Sequence, residues 1–310
     1  MTQMTVNRVL LSPDPGSPFS LDNDAAYRAW REWKLKQRPS IAQLRVPVEN
    51  PFELSAEEAG RIQDLCRRCN VAIYKVSKSY QSTDKDLVHQ LGLQFGLSRL
   101  DDNLRSDEDD ITSLTVKEQA GNQYIPYTNK PLSWHTDGYY NRPEHQVRGI
   151  ILHCAEPAAE GGENQLIDHE LVYIRLRDEN PAYVEALMHP EAMTIPPNVE
   201  QGNEIRGASS GPVFSIDSLT GSLHMRYSAR KRNIEWRDDA LTREAAELIA
   251  QVLDIDELTY IYRLEAGEGV ICNNILHKRS GFKDSEDQKR LMFRARYYDR
   301  IANTGLNLQT

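Results

Sequence analysis

From residue 111 onward the chain changes texture, and that change limits the folds open to it. Short runs rich in β-branched and aromatic residues follow one another, broken by turn-formers, at 111–116, 146–152, 164–167, 213–215, 259–263, 269–272 and 291–298. Two helical patterns interrupt them, at 170–188 with Pro181 inside it and at 241–253. Many short strands with a few helices predict a mainly β fold, a sandwich or jelly roll with flanking helices.

The first hundred residues read differently. Residues 1–20 carry Pro13, Pro15, Gly16 and Pro18 and predict an extended lead-in. Residues 22–37 follow as a helix with Tyr27, Trp30, Trp33 and Leu35 as its apolar face. Ser55 with Glu58 three positions on forms a capping-box pattern, so a helix runs from there to about Cys69. The run 71–76 predicts a strand, 83–95 a helix stopped at Gly96, and 101–110 an acidic, solvated loop. With no repeats or linkers, one domain spans 1–310: an N-terminal extension with helices over 1–69, then a core over 70–300.

Charge and cysteine content narrow the function. With 37 Lys+Arg against 46 Asp+Glu the net charge is −9, which argues against nucleic acid as a partner. No apolar run reaches the ~18–20 residues that span a bilayer, and the N-terminus shows no signal peptide. A membrane partner is therefore not expected. Cys66, Cys69, Cys154 and Cys272 are too few for a disulfide framework, which suits a reducing cytoplasm. The CxxC of Cys66 and Cys69 has no second ligand pair at zinc-finger spacing and closes a helix, so both read as core residues. Oligomeric state leaves no mark, and a homo-oligomer stays open.

Two distant segments carry metal-ligand chemistry. In Trp134-His135-Thr136-Asp137-Gly138, residues two apart in an extended chain point the same way, so His135 and Asp137 can converge. His277 closes the apolar run that begins at Gly269. Two histidines and a carboxylate make the facial triad of non-heme Fe(II) oxygenases, with three coordination positions left open. A zinc hydrolase could use the same set, yet the HxHxD and HExxH patterns are absent. His89, His145, His153, His169, His189 and His224 read as hydrogen-bonded or surface residues.

The segment 289–298 adds a third element. A period of two places Arg290, Met292, Arg294 and Arg296 on one face and Leu291, Phe293 and Ala295 on the other. Inward guanidiniums need anions, and their fork suits carboxylates. A solvated edge strand, with Arg296 at its end beside Asp299, is the alternative.

His135-x-Asp137, the glycine pair of Glu160-Gly161-Gly162-Glu163-Asn164, His277, and arginines beginning 13 residues later together resemble the taurine-dioxygenase and clavaminate-synthase-like Fe(II)/2-oxoglutarate oxygenases. The likeness covers roughly 70–300. The stretch 277–298 and Met225-Arg226-Tyr227 also resemble bacterial glutarate hydroxylases. The resemblance implies a double-stranded β-helix and makes His135, Asp137 and His277 the iron ligands. It implies Fe(II), 2-oxoglutarate and O2 as reagents and a hydroxylated small molecule, succinate and CO2 as products. Desaturation, cyclisation and C–S or C–N cleavage use the same reagents. Arg290 would bind the distal carboxylate of 2-oxoglutarate and Arg294 would face cosubstrate or substrate. Arg296 matches a further arginine of the glutarate type. Asn164 stands where the family usually has a threonine that helps to hold 2-oxoglutarate.

Three arginines on one strand face exceed what one distal carboxylate needs, which predicts a small anionic substrate held by Arg294 or Arg296. Tyr124, Tyr127, Tyr139 and Tyr140 are candidate pocket walls. Arg226, Arg230, Lys231 and Arg232 form a basic cluster that either lines the pocket mouth or is a solvated patch.

Overall fold

The computed structural model describes residues 9–80, 84–101, 111–116, 125–200, 202–230 and 234–306. Among these, six α-helices pack around mostly antiparallel sheets: α1 (Asp24–Lys36), α2 (Ala56–Cys69), α3 (Asp86–Gln94), α4 (His169–Glu179), α5 (Pro181–Leu187) and α6 (Ala240–Val252).

Local chemistry explains the helix limits. Asn23 caps α1 by accepting from Ala26 N, and its inward face carries Tyr27, Trp30 and the stem of Lys34. The capping box of Ser55 and Glu58 forms at α2. At the other end Asn70 takes a left-handed conformation, φ 62°, and turns the chain into the strand Val71–Val76. Residues 170–188 make two helices because Asn180 before Pro181 is extended, and its side chain caps the second one at Ala182 N. Cys66 and Cys69 face the core of α2 and are free and buried, as are Cys154 and Cys272. Burial pushes the thiols of Cys69, Cys154 and Cys272 up to about 12, so all three are inert at neutral pH.

Two sheets matter for the site. A six-stranded sheet runs Arg45–Val48, Val71–Val76, Glu268–Cys272, Gly149–Glu156, Leu291–Tyr297, Thr112–Leu114. A four-stranded sheet runs Tyr260–Tyr262, Asn164–Ile167, Leu276–Arg279, Leu132–His135. Ile73, Ile151, Ile271 and Phe293 of the first share one core with Leu166 and Tyr260 of the second. A second core joins α1, α4 and α6 through Trp30, Val172 and Ile249.

Two expectations need correction. Asp101 is not part of a solvated loop: it is 5% exposed and ion-paired, while residues 102–110 lie outside the described set. Several strands gave no signal, among them Arg45–Val48, which contains Pro47, and Asn198–Glu200 with Asn203–Arg206. At two to four residues they are too short for periodicity to register. Thr83, Tyr124, Lys231 and Arg232 also lie outside the described residues.

Candidate active site

His135 ends the strand Leu132–His135, and His277 sits on the neighbouring strand Leu276–Arg279. The two are directly opposed in antiparallel register, so their side chains share a face, with ring centroids 4.2 Å apart. Asp137 lies two residues past His135 on the same side. Its Oδ1 is 3.5 Å from His135 Nε2 and 4.0 Å from His277 Nε2. One ligand atom from each of the three falls within 4.8 Å of the others, and no other such cluster exists among the described residues.

The backbone sets the tautomers. His135 Nδ1 lies 2.9 Å from Ser133 O and His277 Nδ1 lies 2.9 Å from Ile275 O. A carbonyl only accepts, so each Nδ1 carries the proton and each Nε2 presents a lone pair to the centre. Burial pushes His277 down to about 4, helped by the nearness of His135, so its ring is neutral at pH 7. Burial opposes ionisation of Asp137. Arg294 at 3.2 Å outweighs it and holds the carboxyl well below the ordinary range. The other oxygen, Oδ2, is buried without a hydrogen-bond partner. Two imidazole nitrogens and one carboxylate with an orphaned oxygen are the donor set that a divalent metal such as Fe(II) requires.

Sequence patterns gave no sign of the clamp behind Asp137. Asn274, in the left-handed region at φ 48°, accepts from Asp137 N at 2.8 Å and donates to Asp137 O and Val147 O. Two of these hydrogen bonds fix the backbone of Asp137 from the His277 side, and the third ties Asn274 to Val147.

His135 and Asp137 line a cavity of about 310 Å³. Tyr127, Tyr139 and Tyr140 form part of its wall, as expected, and the Tyr139 ring lies edge-on to His135 at 6.3 Å. The segment 195–198 with Ile205 and Arg206 closes another side, and Arg206 staples it by donating to Pro196 O. Arg294 and Arg296 both line this cavity. Arg296 is neither at a solvent edge nor paired with Asp299, which binds Arg99 instead. It is 4% exposed, salt-bridged to Asp101 at 2.7 Å, and donates to Tyr140 Oη at 2.7 Å.

Arg290 and Met292 line a second, narrow cavity further back along the same strand, together with Asn164, Gly162 and Cys154. Arg290 is 4% exposed. Gly161 and Gly162 sit at φ 71° and 80°, where a side chain is strained, and a Cβ on Gly161 would meet Gly281 O at 2.4 Å. The glycine pair lets this turn lie flush against the segment after His277, where Gly162 N donates to Gly281 O.

Of the basic cluster, Arg230 lines the metal cavity. Arg226 does not: it is buried behind, donating to the carbonyls of Met193, Gly211 and Ser209. Trp134 packs in the second core under Lys278, whose Nζ stands 4.7 Å from its ring centroid.

Comparison with known proteins agrees with this geometry. Residues 34–296 match the family model "Taurine catabolism dioxygenase TauD, TfdA family". A Streptomyces uridine-5'-phosphate dioxygenase is 25% identical over 203 residues, 62% of this chain and 71% of that protein. Among solved structures, an asparagine oxygenase with Fe(II), 3-hydroxyasparagine and succinate superposes with a TM-score of 0.56 at 15% identity, over 82% of this chain and 93% of that one. The non-heme iron oxygenase OrfP with Fe and α-ketoglutaric acid gives 0.56 at 14%, over 78% and 81%. With the family match covering most of its length and a two-histidine, one-carboxylate centre in place, the chain belongs to the TauD/TfdA family and is a dioxygenase that works with Fe(II), 2-oxoglutarate and O2.

Proposed function

We propose that the protein hydroxylates a small anionic molecule within a double-stranded β-helix core, releasing succinate and CO2. The observation that carries this reading is a cavity lined by arginines together with His135 and Asp137, two members of the cluster that His277 completes. His135, Asp137 and His277 would hold Fe(II). When bound, the iron and 2-oxoglutarate supply the oxidising chemistry, inserting one oxygen atom of O2 into a substrate C–H bond and the other into succinate.

The remaining work falls to this chain's own side chains. Arg290, with Asn164 beside it, would take the distal carboxylate of 2-oxoglutarate in the narrow cavity. Burial pushes Arg290 down only to about 10, so it stays cationic at neutral pH. Arg294 would hold an acidic group of the substrate, since a bound metal takes over the Asp137 charge that Arg294 now faces. Arg296 is already neutralised by Asp101. Its part in substrate binding would be to fix the Tyr140 hydroxyl, while Tyr139 shapes the wall beside the metal. The uridine-5'-phosphate dioxygenase relative is named for an anionic substrate, which favours the same class.

The test is 2-oxoglutarate turnover with Fe(II) against a panel of carboxylates, amino acids, sulfonates and phosphate esters, with succinate as readout. Stimulation by an acidic compound is the expected result. A best substrate that is neutral or cationic contradicts it.

A further inference from the structure

A short segment, 227–229, runs antiparallel to the ligand-bearing strand and ties itself to it. Thr136 N donates to Tyr227 O, Tyr227 N to Thr136 Oγ1, and Ala229 N to Trp134 O at 2.8 Å. His135 is thereby opposed to Ser228. Alternate residues on both chains then face the same way. Ser133, His135 and Asp137 on one, and Ser228 and Arg230 on the other, all line the metal cavity. In this register Arg230 stands opposite Ser133, at one end of the strip. Arg294, at 3.2 Å from Asp137, stands at the other. His135 lies between them.

Charge makes that placement informative. Among the described residues lining the cavity there are four arginines and one carboxylate, Asp137. Arg296 has Asp101 behind it. Arg294 retains a buried Nε without a hydrogen-bond partner. Arg230 is half-buried, and no acidic partner for its guanidinium is found among the described residues. In a chain of net charge −9, with acids in excess, a pocket cation left without a carboxylate points to a ligand that brings one.

We propose that Arg230 and Arg294 form a two-ended clamp for a substrate bearing two anionic groups, with the oxidised carbon between them. This deepens the reading above and rests on it. Ser133 and Asp137 are about 13 Å apart along an extended chain, at ~3.3 Å per residue. Both arginines line the cavity between those ends, so the clamp would suit groups separated by a short aliphatic chain or a small ring. Carboxylate and phosphate share the oxygen geometry that a guanidinium fork grips.

The experiment uses the Fe(II) protein saturated with 2-oxoglutarate and kept free of oxygen. Calorimetric titrations compare α,ω-dicarboxylates from glutarate to suberate with monocarboxylates of equal length. A second arm uses ω-phosphonocarboxylates, and the tighter arm identifies the outer group. At one chain length the second anionic group should raise affinity ten-fold or more. Arg230→Gln should abolish that advantage, and Arg230→Lys should restore part of it. An advantage that survives in Arg230→Gln overturns the clamp, and so does a series in which the second anion adds nothing at any length. Failure of the cofactor reading would show separately, as a wild-type Fe(II) protein that takes up no 2-oxoglutarate in the preceding titration.

Discussion

Lys34 and Asp137 are both buried charges, and the protein surrounds them in opposite ways. Lys34 reaches from α1 to Asp168 at 2.6 Å and to Glu170, while Asn70 donates to the same aspartate. Cation and anions are all supplied by the chain, and the cluster is closed. Around Asp137 the His277 ring is neutral, the nearest cation is a cavity arginine, and one carboxylate oxygen has no hydrogen-bond partner. That cluster is complete only when something enters it. A closed buried cluster holds α1 to α4, whereas an open one beside a cavity is where chemistry happens.

This contrast can be broken first at the open cluster. Asp137→Ala should reduce 2-oxoglutarate turnover on the order of 10³-fold or more, because the metal loses its only carboxylate ligand. Its melting temperature should stay within a few degrees of wild type, which calorimetry would check. A large loss of stability with activity retained would erase the distinction between the clusters.

The closed cluster should show the reverse. Lys34→Met leaves Asp168 and Glu170 buried without a cation and should cost about 3–5 kcal/mol, read as a urea midpoint. Turnover of the folded fraction should be near wild type.

Smaller again is the effect at the narrow cavity. Arg290→Leu should raise the Michaelis constant for 2-oxoglutarate roughly 30- to 1000-fold, for the loss of about 2–4 kcal/mol of charge-assisted binding. An unchanged constant would move the cosubstrate anchor to Arg294.

The weakest effect sharpens the comparison by pH. Burial opposes ionisation of Asp168, but Lys34 holds its pKa below the ordinary 3.8. Its contribution is therefore complete above 3.8 and is lost as pH falls through the lower folded value. Burial opposes the charge of Lys34 as well, and Asp168 and Glu170 reverse that and raise it above 10.5. The lysine's share is present below 10.5 and disappears only at higher pH. Without Lys34, burial raises the carboxyls of the variant, so the stability gap between wild type and Lys34→Met should be widest near neutral pH and narrow as pH falls. A gap that widens in acid would contradict the pairing.

Much of the site was legible because its signals are local. His-x-Asp needs only an extended chain, and the period-two arginines of 290–296 share a cavity-lining face, as alternation dictates. The capping box at Ser55 and the break at Pro181 are equally local. The rest depends on distant partners. Asp101 reads as one acid in an acidic run until tertiary structure places it on Arg296, which removes one cation from the substrate argument. Asn274 acts through a left-handed backbone and a contact 137 residues away, neither of which periodicity registers. Arg230 and Arg226, four residues apart, divide between the cavity and the interior because only one faces it.

Iron content tests the central claim most directly. Wild type and His277→Ala would be equilibrated with Fe(II) without oxygen, dialysed and analysed for metal, with circular dichroism confirming the fold. One iron per wild-type chain and little in the folded variant is the predicted result; a folded His277→Ala protein that keeps its full iron would contradict the triad.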